Sequence, residues 1–294
     1  MADLIENRTF TGERALYKVS DLAIRGCTFE DGESHLKHAR NLKIEKSTFG
    51  WKYPLWHSEN IDVADSTFTE GGRAGIWYTK NISLTDTEYA AAKGFRKCEG
   101  VSLKNVNLPD AKETLWWCRN ISLKNVSASG DYFFMNSSDI KIDGLVLNGN
   151  YPFDGCKNIE ISNSRLESKD AFWNSENVIV RDSVIVGQYL AWNSKNVTFI
   201  NCTIESEQGL CYTENLTLKN CRLVNTNLAF EYSTVEAELT GSVLSIKNPA
   251  GGRIKAEQID ELILDDTKID PAKTKIVCPK ILKRTEEITD KAEI

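Results

Sequence analysis

The chain has 294 residues, of which 41% are hydrophobic, and its formal net charge at pH 7 is −6. A chain of this size can bury a large core. Its acidic balance gives no net attraction to nucleic-acid phosphates, so we expect no nucleic-acid partner. No apolar run reaches the length of a membrane-spanning helix, and the first residues lack the pattern of a signal peptide. We therefore expect a cytoplasmic protein that does not bind membranes.

A repeat of about nineteen residues organises the sequence. Asn60–Phe68 (NIDVADSTF) recurs as Asn158–Leu166 (NIEISNSRL) and Asn215–Leu223 (NLTLKNCRL). The second and fourth positions are apolar, an alternation that buries one side of a short strand. The first and sixth positions are mostly Asn, Asp or Gly, which tolerate the left-handed backbone of a corner. The pattern predicts an all-β fold, a right-handed parallel β-helix.

The first repeat position, here called the corner residue, indicates how the chain divides. We predict one domain over 1–294, with a partial coil or cap over 1–20, coils over 21–270 and a C-terminal cap or tail over 271–294. The spacing gives about thirteen coils of roughly nineteen residues. The corner residues are Asp21, Asn41, Asn60, Asn81, Gly100, Asn120, Asp139, Asn158, Asn177, Asn196, Asn215, Glu236 and Glu261.

Two further columns of apolar residues are expected to face the core. One is the ninth repeat position, which is Phe in the first coils (Phe29, Phe49 and Phe68). The other lies five residues before each corner. It consists of Leu55, Ile76, Phe95, Leu115, Phe134, Phe153, Phe172 and Leu210.

Several stretches resemble a known family. Phe29–Glu33 (FEDGE), Trp51–Trp56 (WKYPLW), Arg73–Tyr78 (RAGIWY) and Lys169–Trp173 (KDAFW), together with the coils, look like a bacterial β-helix family described as a domain of unknown function. The resemblance covers essentially the whole chain and implies the fold, but no activity. More remotely, the architecture resembles the pectate-lyase-like superfamily, whose members mostly act on polysaccharides. This likeness is one of fold, and fold does not determine function.

A column rich in tryptophan lies four residues before the corner, next to an inward column, and is therefore expected to face outward. Indole rings beside polar groups suit the C–H faces and hydroxyl edges of sugars, and exposed aromatic patches usually indicate a binding surface. The alternative is that loops or the C-terminal segment cover the rings. The column is Trp56, Trp77, Arg96, Trp116, Met135, Asp154, Trp173, Trp192, Cys211 and Tyr232, and we expect a ligand to contact Trp56, Trp77, Arg96, Trp116, Trp173, Trp192 and the adjacent Tyr212.

Two acidic residues are candidates for catalysis. Asp154 and Asp170 are one coil apart if both face outward. Their carboxyl groups could then lie within the roughly 6.5–9.5 Å that separates the acid and base of an inverting glycosidase. Arg96 could hold a uronate or phosphate group. The alternative is that both acids are simply solvated.

The three histidines are close in the repeat. His38 and His57 share a column, and His35 belongs to the same coil as His38. With Glu33 and Asp31 they could bind a metal, but a surface pair is more common, and we predict neither a metal nor another cofactor. The eight cysteines are too few for a disulfide scaffold, so free thiols are expected.

The leading hypothesis is a cytoplasmic β-helix that binds a carbohydrate or sugar-like ligand along its tryptophan face. Its enzymatic version is a polysaccharide hydrolase or lyase that uses Asp154 and Asp170. A third hypothesis is a rigid scaffold that docks a protein partner or a second copy. The sequence is compatible with a monomer or a weak homodimer.

Overall fold

The computed structural model describes residues 3–286. The chain is an all-β parallel β-solenoid, so the predicted fold class is confirmed, but it makes about 15 turns instead of the predicted thirteen. Its contacts divide it into two compact units, residues 1–156 and 157–294. Each unit is described by itself below, and the assignment of the whole chain to one domain stays a prediction.

In residues 3–156, the described part of the first unit, there are fourteen strands and one short 3₁₀ turn at Glu70–Gly72. The strands are β1 (Asp3–Glu6), β2 (Thr9–Phe10), β3 (Ser20–Arg25), β4 (Thr28–Phe29), β5 (Arg40–Glu45), β6 (Thr48–Phe49), β7 (Glu59–Ala64), β8 (Thr67–Phe68), β9 (Ile76–Trp77), β10 (Lys80–Tyr89), β11 (Phe95–Arg96), β12 (Glu99–Leu108), β13 (Arg119–Ser129) and β14 (Ser138–Asn148).

The second unit contains thirteen strands in its described part and a 3₁₀ turn at Pro271–Lys273. No helix within residues 3–286 is long and apolar enough to cross a membrane. The strands are β15 (Lys157–Ser162), β16 (Arg165–Lys169), β17 (Glu176–Arg181), β18 (Val184–Gln188), β19 (Lys195–Ile200), β20 (Thr203–Glu207), β21 (Glu214–Leu223), β22 (Thr234–Leu239), β23 (Ser242–Lys247), β24 (Gly251–Lys255), β25 (Gln258–Leu264), β26 (Thr274–Val277) and β27 (Lys280–Glu286).

Parallel pairing brings equal repeat positions together. Ile5 of β1 pairs with Ile24 of β3, and Ile24 pairs with Ile44 of β5. Successive coils are therefore in register, with each residue above its counterpart at the usual strand spacing of about 4.8 Å. Because β1 and β2 take part in this pairing, residues 3–10 already form the strands of a regular coil.

The corner residues form amide ladders. Asn41 donates its side-chain N–H to Asp21 at 2.9 Å, and Asn60 donates to Asn41 at 2.9 Å. Their φ angles of 53° to 59° are left-handed, as the sequence predicts for a corner. The second unit has an equivalent ladder, with bonds of 2.9–3.0 Å joining Asn158, Asn177, Asn196 and Asn215.

Two of the predicted corners are wrong. Val235 pairs with Leu216, which places Thr234 and not Glu236 at the corner. Glu261 lies in a separate three-stranded sheet formed by β23, β25 and β27, where it pairs with Ser245. The coils change length here, and both strands of a coil alternate apolar and polar residues. At Glu261 the sequence pattern therefore fitted the other strand of the coil, whereas Glu236 lies on the correct strand, two residues past the corner.

The C-terminal segment continues the solenoid where the sequence predicted a cap. Strand β26 pairs in parallel with β24, and β27 pairs in parallel with β25. Residues 274–286 therefore add a further coil. Residues 287–294 of the predicted cap lie outside the described residues.

The predicted core columns are confirmed. Phe29 stacks on Phe49 with 5.0 Å between ring centroids, and Phe49 stacks on Phe68 at 4.2 Å. All three side chains are completely buried. The column five residues before the corner is also buried, at Leu55, Ile76, Phe95, Leu115, Phe134 and Phe153 in the first unit and at Phe172 and Leu210 in the second.

Replacing Phe49 with Ala should be costly, because the ring contacts a ring above and a ring below and the neighbouring coils cannot collapse into the space. We expect the free energy of unfolding, measured by chemical denaturation, to fall by about 3–5 kcal/mol. The control is Val146→Ala at a side chain that is 58% exposed, which should change it by less than about 0.5 kcal/mol. A loss below about 1 kcal/mol for Phe49→Ala would contradict the stacked core.

Candidate binding face

In the first unit the predicted tryptophan face contains a continuous stack. We call Trp56, Trp77, Arg96 and Trp116 the tryptophan column. The Trp56 and Trp77 rings stack at 4.9 Å with 9° between their planes. The Arg96 guanidinium then lies between two indoles, 4.9 Å from the Trp77 centroid and 4.5 Å from that of Trp116. Cation–π attraction to both rings holds it in the stack.

The tryptophan column is half-buried and packs against neighbouring loops. The indole N–H of Trp56 donates to the Ala74 carbonyl at 2.6 Å. The indoles of Trp77 and Trp116 donate to the carbonyls of Lys93 and Tyr132, at 2.9 and 2.6 Å. The rings therefore support loop backbone, and the open indole platform that the sequence suggested is not what the geometry shows.

Arg96 is already neutralised. It donates to Glu113 at 2.7 Å, and Glu113 also pairs with Lys93 at 3.3 Å. The Arg96 side chain is only 17% exposed. To anchor a uronate or phosphate group, as the sequence suggested, Arg96 would have to break its ion pair with Glu113. In the structure Arg96 instead fills the position between two indoles.

The more exposed rings lie one residue later in the chain, three residues before each corner. These residues have left-handed φ angles of 50° to 61°, which turn the chain at a second corner. Tyr78 is 38% exposed and Trp117 is 46% exposed. We call this set the ring column: His38, His57, Tyr78, Lys97 and Trp117.

The rings of the ring column mostly cover each other's faces. His38 stacks on His57 with centroids 5.1 Å apart, and His57 stacks on Tyr78 at 4.7 Å with 4° between planes. The Lys97 ammonium lies 5.7 Å from the Tyr78 centroid. The edges of these rings therefore face the solvent. Trp117 meets the Trp116 ring edge to face, as Tyr78 meets Trp77, but it differs from the other rings because no ring in the described chain stacks on it.

The three histidines do not form one cluster. His35 is fully buried, beside the Phe29 ring, and its Nε2 lies 3.2 Å from the Glu30 carbonyl. His38 and His57 lie in the ring column, and burial lowers the pKa of both imidazoles. Within residues 3–286, no group of three or more His, Cys, Asp or Glu side chains is placed to hold a metal ion.

In the second unit, Trp173 and Trp192 are half-buried, and the Trp192 indole donates to the Gln208 carbonyl at 2.8 Å. Tyr212 is 44% exposed, with its ring centroid 5.1 Å from that of Trp192. Cys211 is completely buried, contrary to the outward position predicted for it.

Tyr232 was assigned to the wrong column of the second unit. Its ring lies 5.3 Å from that of Tyr212, so it continues the Tyr212 column. Glu231 instead occupies the position predicted for Tyr232, because the Glu231 carbonyl accepts the Tyr212 backbone N–H. The error has two sources, the misplaced corner at Glu236 and a step from Tyr232 to the corner Thr234 that is one residue shorter than the step from Tyr212 to Asn215.

The two candidate catalytic acids differ in their exposure. Asp154 is half-buried and belongs to the first unit, whereas Asp170 belongs to the second unit and is only 5% exposed. A carboxyl group this well shielded is poorly placed to meet a polymer that lies on the surface. The acid/base pair stays a prediction.

Comparison with known proteins identifies a family. Residues 3–277 match the model of a family described as protein of unknown function (DUF3737), which confirms the resemblance that the sequence predicted. No curated protein matches the sequence significantly.

Some solved structures are similar at low identity. A surface adhesin of Streptococcus pneumoniae shares 11% identity, over 96% of this chain and 82% of its own, with a TM-score of 0.38. The tailspike protein of E. coli bacteriophage HK620, solved with a hexasaccharide, shares 9%, over 94% and 71%, with a TM-score of 0.39. The A-module of a mannuronan C-5 epimerase of Azotobacter vinelandii shares 10%, over 97% and 88%, with a TM-score of 0.28. At these scores none of them indicates a function for this chain.

The buried His35 should make the fold sensitive to acid. Burial lowers the pKa of its imidazole, and Nδ1 has no hydrogen-bond partner. Below about pH 6.5 the unfolded chain takes up a proton that the folded chain resists, so the free energy of unfolding should fall as the pH falls. His35→Gln, which keeps a donor for the Glu30 carbonyl, should reduce this fall when denaturation at pH 7 and pH 5.5 is compared.

The control for this prediction replaces His38 and His57 with Asn, which suits their left-handed backbone. That double variant retains the contribution of His35, so part of the pH dependence should remain. An identical pH dependence in His35→Gln and the unmodified protein would show that His35 is not the group responsible.

Proposed function

The chain belongs to the DUF3737 family, and we propose that it binds an extended carbohydrate-type ligand along the ring column of its first unit. The observation that carries the proposal is the exposure of Tyr78 and Trp117, at 38% and 46%, in one column on one side of the unit. Contiguous exposed rings on soluble proteins usually mark a binding surface. The tryptophan column beneath them keeps this surface in place before a ligand arrives, which limits the entropic cost of binding.

The orientation of the rings favours a ligand rich in hydroxyl groups. Stacked rings offer their edges, and the edges of His38, His57 and Tyr78 carry ring nitrogens or a phenolic hydroxyl. These groups can donate and accept hydrogen bonds with hydroxyls. A purely apolar ligand would instead need open ring faces.

Trp117 adds the one open indole of the ring column. Its ring makes an angle of 90° with that of Trp116, which already donates its N–H to the Tyr132 carbonyl. A ring with a free face can pack against the C–H face of a sugar. Trp117 therefore supplies the apolar contact, and the ring edges supply the polar ones.

The repeat also suits a polymer. Successive coils are about 4.8 Å apart, which is close to the length of one sugar unit. Consecutive members of the ring column can thus contact consecutive sugars of an extended chain. The proposal is for binding alone, because the acid/base pair predicted for a hydrolase or lyase includes Asp170, which is only 5% exposed.

Replacing Tyr78 or Trp117 with Asn should weaken ligand binding without harming the fold. Asn occupies the same left-handed position in the next coil, at Asn136. We expect each variant to lower affinity for a glycan at least about tenfold, or 1.4 kcal/mol. The free energy of unfolding should change by less than about 0.5 kcal/mol. A glycan array would identify the ligand, and isothermal titration would measure its affinity.

Two further variants give the controls. Val146→Ala, at an exposed strand residue away from the ring column, should leave affinity unchanged. Trp116→Ala should lower stability, since it removes a half-buried ring and its hydrogen bond to Tyr132. The proposal is wrong if the array shows no bound glycan, or if Tyr78→Asn and Trp117→Asn bind as well as the unmodified protein.

A further inference from the structure

We infer that the ligand of the ring column is an anionic glycan, with acidic groups that lie over Lys18, Lys37 and Lys97. The inference rests on the proposed function and specifies its ligand class. It is carried by the distribution of charge on this side of the first unit.

The first observation is that the columns contain cations and no acids. Between Tyr17 and Asn136, the positions three and four residues before each corner hold Lys18, Lys37, Arg96 and Lys97 but no Asp or Glu. These positions therefore carry only positive charges, although the net charge of the whole chain is −6. The net charge of the whole chain does not reveal this local cluster of cations.

The second observation is that these lysines lack anionic partners. Among the described residues, Lys18, Lys37 and Lys97 make no ion pair, whereas four acids beside the columns are all paired. The paired acids are Glu33 with Lys52, Glu59 with Arg40, Glu99 with Arg119, and Glu113 with both Arg96 and Lys93.

The third observation is that the rings position the lysines. The ammonium groups of Lys18, Lys37 and Lys97 lie 5.2, 5.9 and 5.7 Å from the centroids of the Tyr17, Trp56 and Tyr78 rings. These contacts restrict otherwise flexible side chains. Ring edges carry partial positive charge, so the edges of the ring column add to the attraction for anionic oxygens.

The pKa values of His38 and His57 reflect the same positive charges. The pKa of His38 is lowered first by burial and then by the positive charges of His57, Lys37, Lys18 and Arg40. The pKa of His57 is lowered by burial and by Lys37. Both groups are therefore surrounded mainly by positive charge, which is the environment that an anionic ligand would neutralise.

An anionic glycan fits better than a single-stranded nucleic acid. Nucleic-acid platforms stack bases on the open faces of aromatic rings. Here the faces of His57 are covered by His38 and Tyr78, so Trp117 alone would offer an open face and successive bases would find no row of stacking sites. Ring edges, one open indole and unpaired lysines instead match alternating hydroxyl and acidic groups.

The test compares matched charged and uncharged probes. Isothermal titration at low salt would use oligogalacturonate and its fully methyl-esterified form, together with dextran sulfate and dextran. We expect at least one acidic probe to bind at least about tenfold more tightly than its uncharged counterpart, and added NaCl to weaken that binding. The two pairs distinguish carboxylate from sulfate.

Charge variants locate the site. Lys37→Gln with Lys97→Gln should weaken binding of the acidic probe at least about tenfold, as expected for the loss of two charge-assisted contacts. The control, Lys43→Gln with Lys124→Gln, removes the same charge from exposed lysines on strands β5 and β13. It should change affinity less than about twofold, because screening weakens distant charges.

The possible failures separate the two proposals. If the uncharged probes bind as tightly as the acidic ones and Trp117→Asn abolishes that binding, the anionic ligand is wrong and the glycan site survives. If no probe binds, and the glycan array is also negative, the proposed function itself is wrong. Equal losses in both lysine pairs, or tighter binding of a single-stranded oligonucleotide than of any glycan, would overturn the anionic-glycan inference.

Discussion

Parallel backbone hydrogen bonds between successive coils are the constraint on which the other features depend. They place every residue above the residue at the same repeat position, about 4.8 Å away. Each side chain therefore packs against side chains of the same repeat position, and often of the same type, in the coils above and below it. Asn60 bonds to Asn41, and Phe49 stacks on Phe29. Columns of amides and rings satisfy this condition, whereas columns of identical charges repel.

The same constraint explains the composition of the binding face. In the tryptophan column, Arg96 is separated from any other cation by an indole on each side. Lys18 holds the same repeat position one coil before the ring column, and the rings of His38, His57 and Tyr78 separate it from Lys97. Aromatic rings act as spacers that keep positive charges apart yet on one side of the unit. A surface that attracts anions can therefore be built without a continuous row of lysines.

Much of the fold could be predicted because strand alternation and left-handed corners leave a local signal. The corner at Asn60 and the buried position of Phe134 follow directly from the repeat. The corner at Glu236 was wrong because the predicted spacing departed from the nineteen-residue period there, whereas Thr234, nineteen residues after Asn215, keeps it. The extension of the solenoid over residues 274–286 was missed because its charged sequence resembles a tail.

The candidate site was less predictable. The repeat shows that Trp56 lies on an outer side, but its hydrogen bond to the Ala74 carbonyl depends on the path of a loop. The pairing of Arg96 with Glu113 likewise depends on how one loop lies against the next coil. The residues of the ring column are visible in the sequence as the position that follows the tryptophan column, but the repeat alone does not show that Tyr78 and Trp117 are the more exposed rings.

In the proposed complex the ligand contacts the ring column at Trp117. The most direct measurement is ¹⁹F NMR of protein labelled with 5-fluorotryptophan, which gives one resonance for each of the 7 tryptophans. The Trp117→Asn variant identifies the Trp117 resonance by its disappearance. Titration with an acidic oligosaccharide should shift that resonance most, and the resonances of Trp173 and Trp192 least. Shifts confined to Trp173 and Trp192, or no shift at saturating oligosaccharide, would contradict the claim.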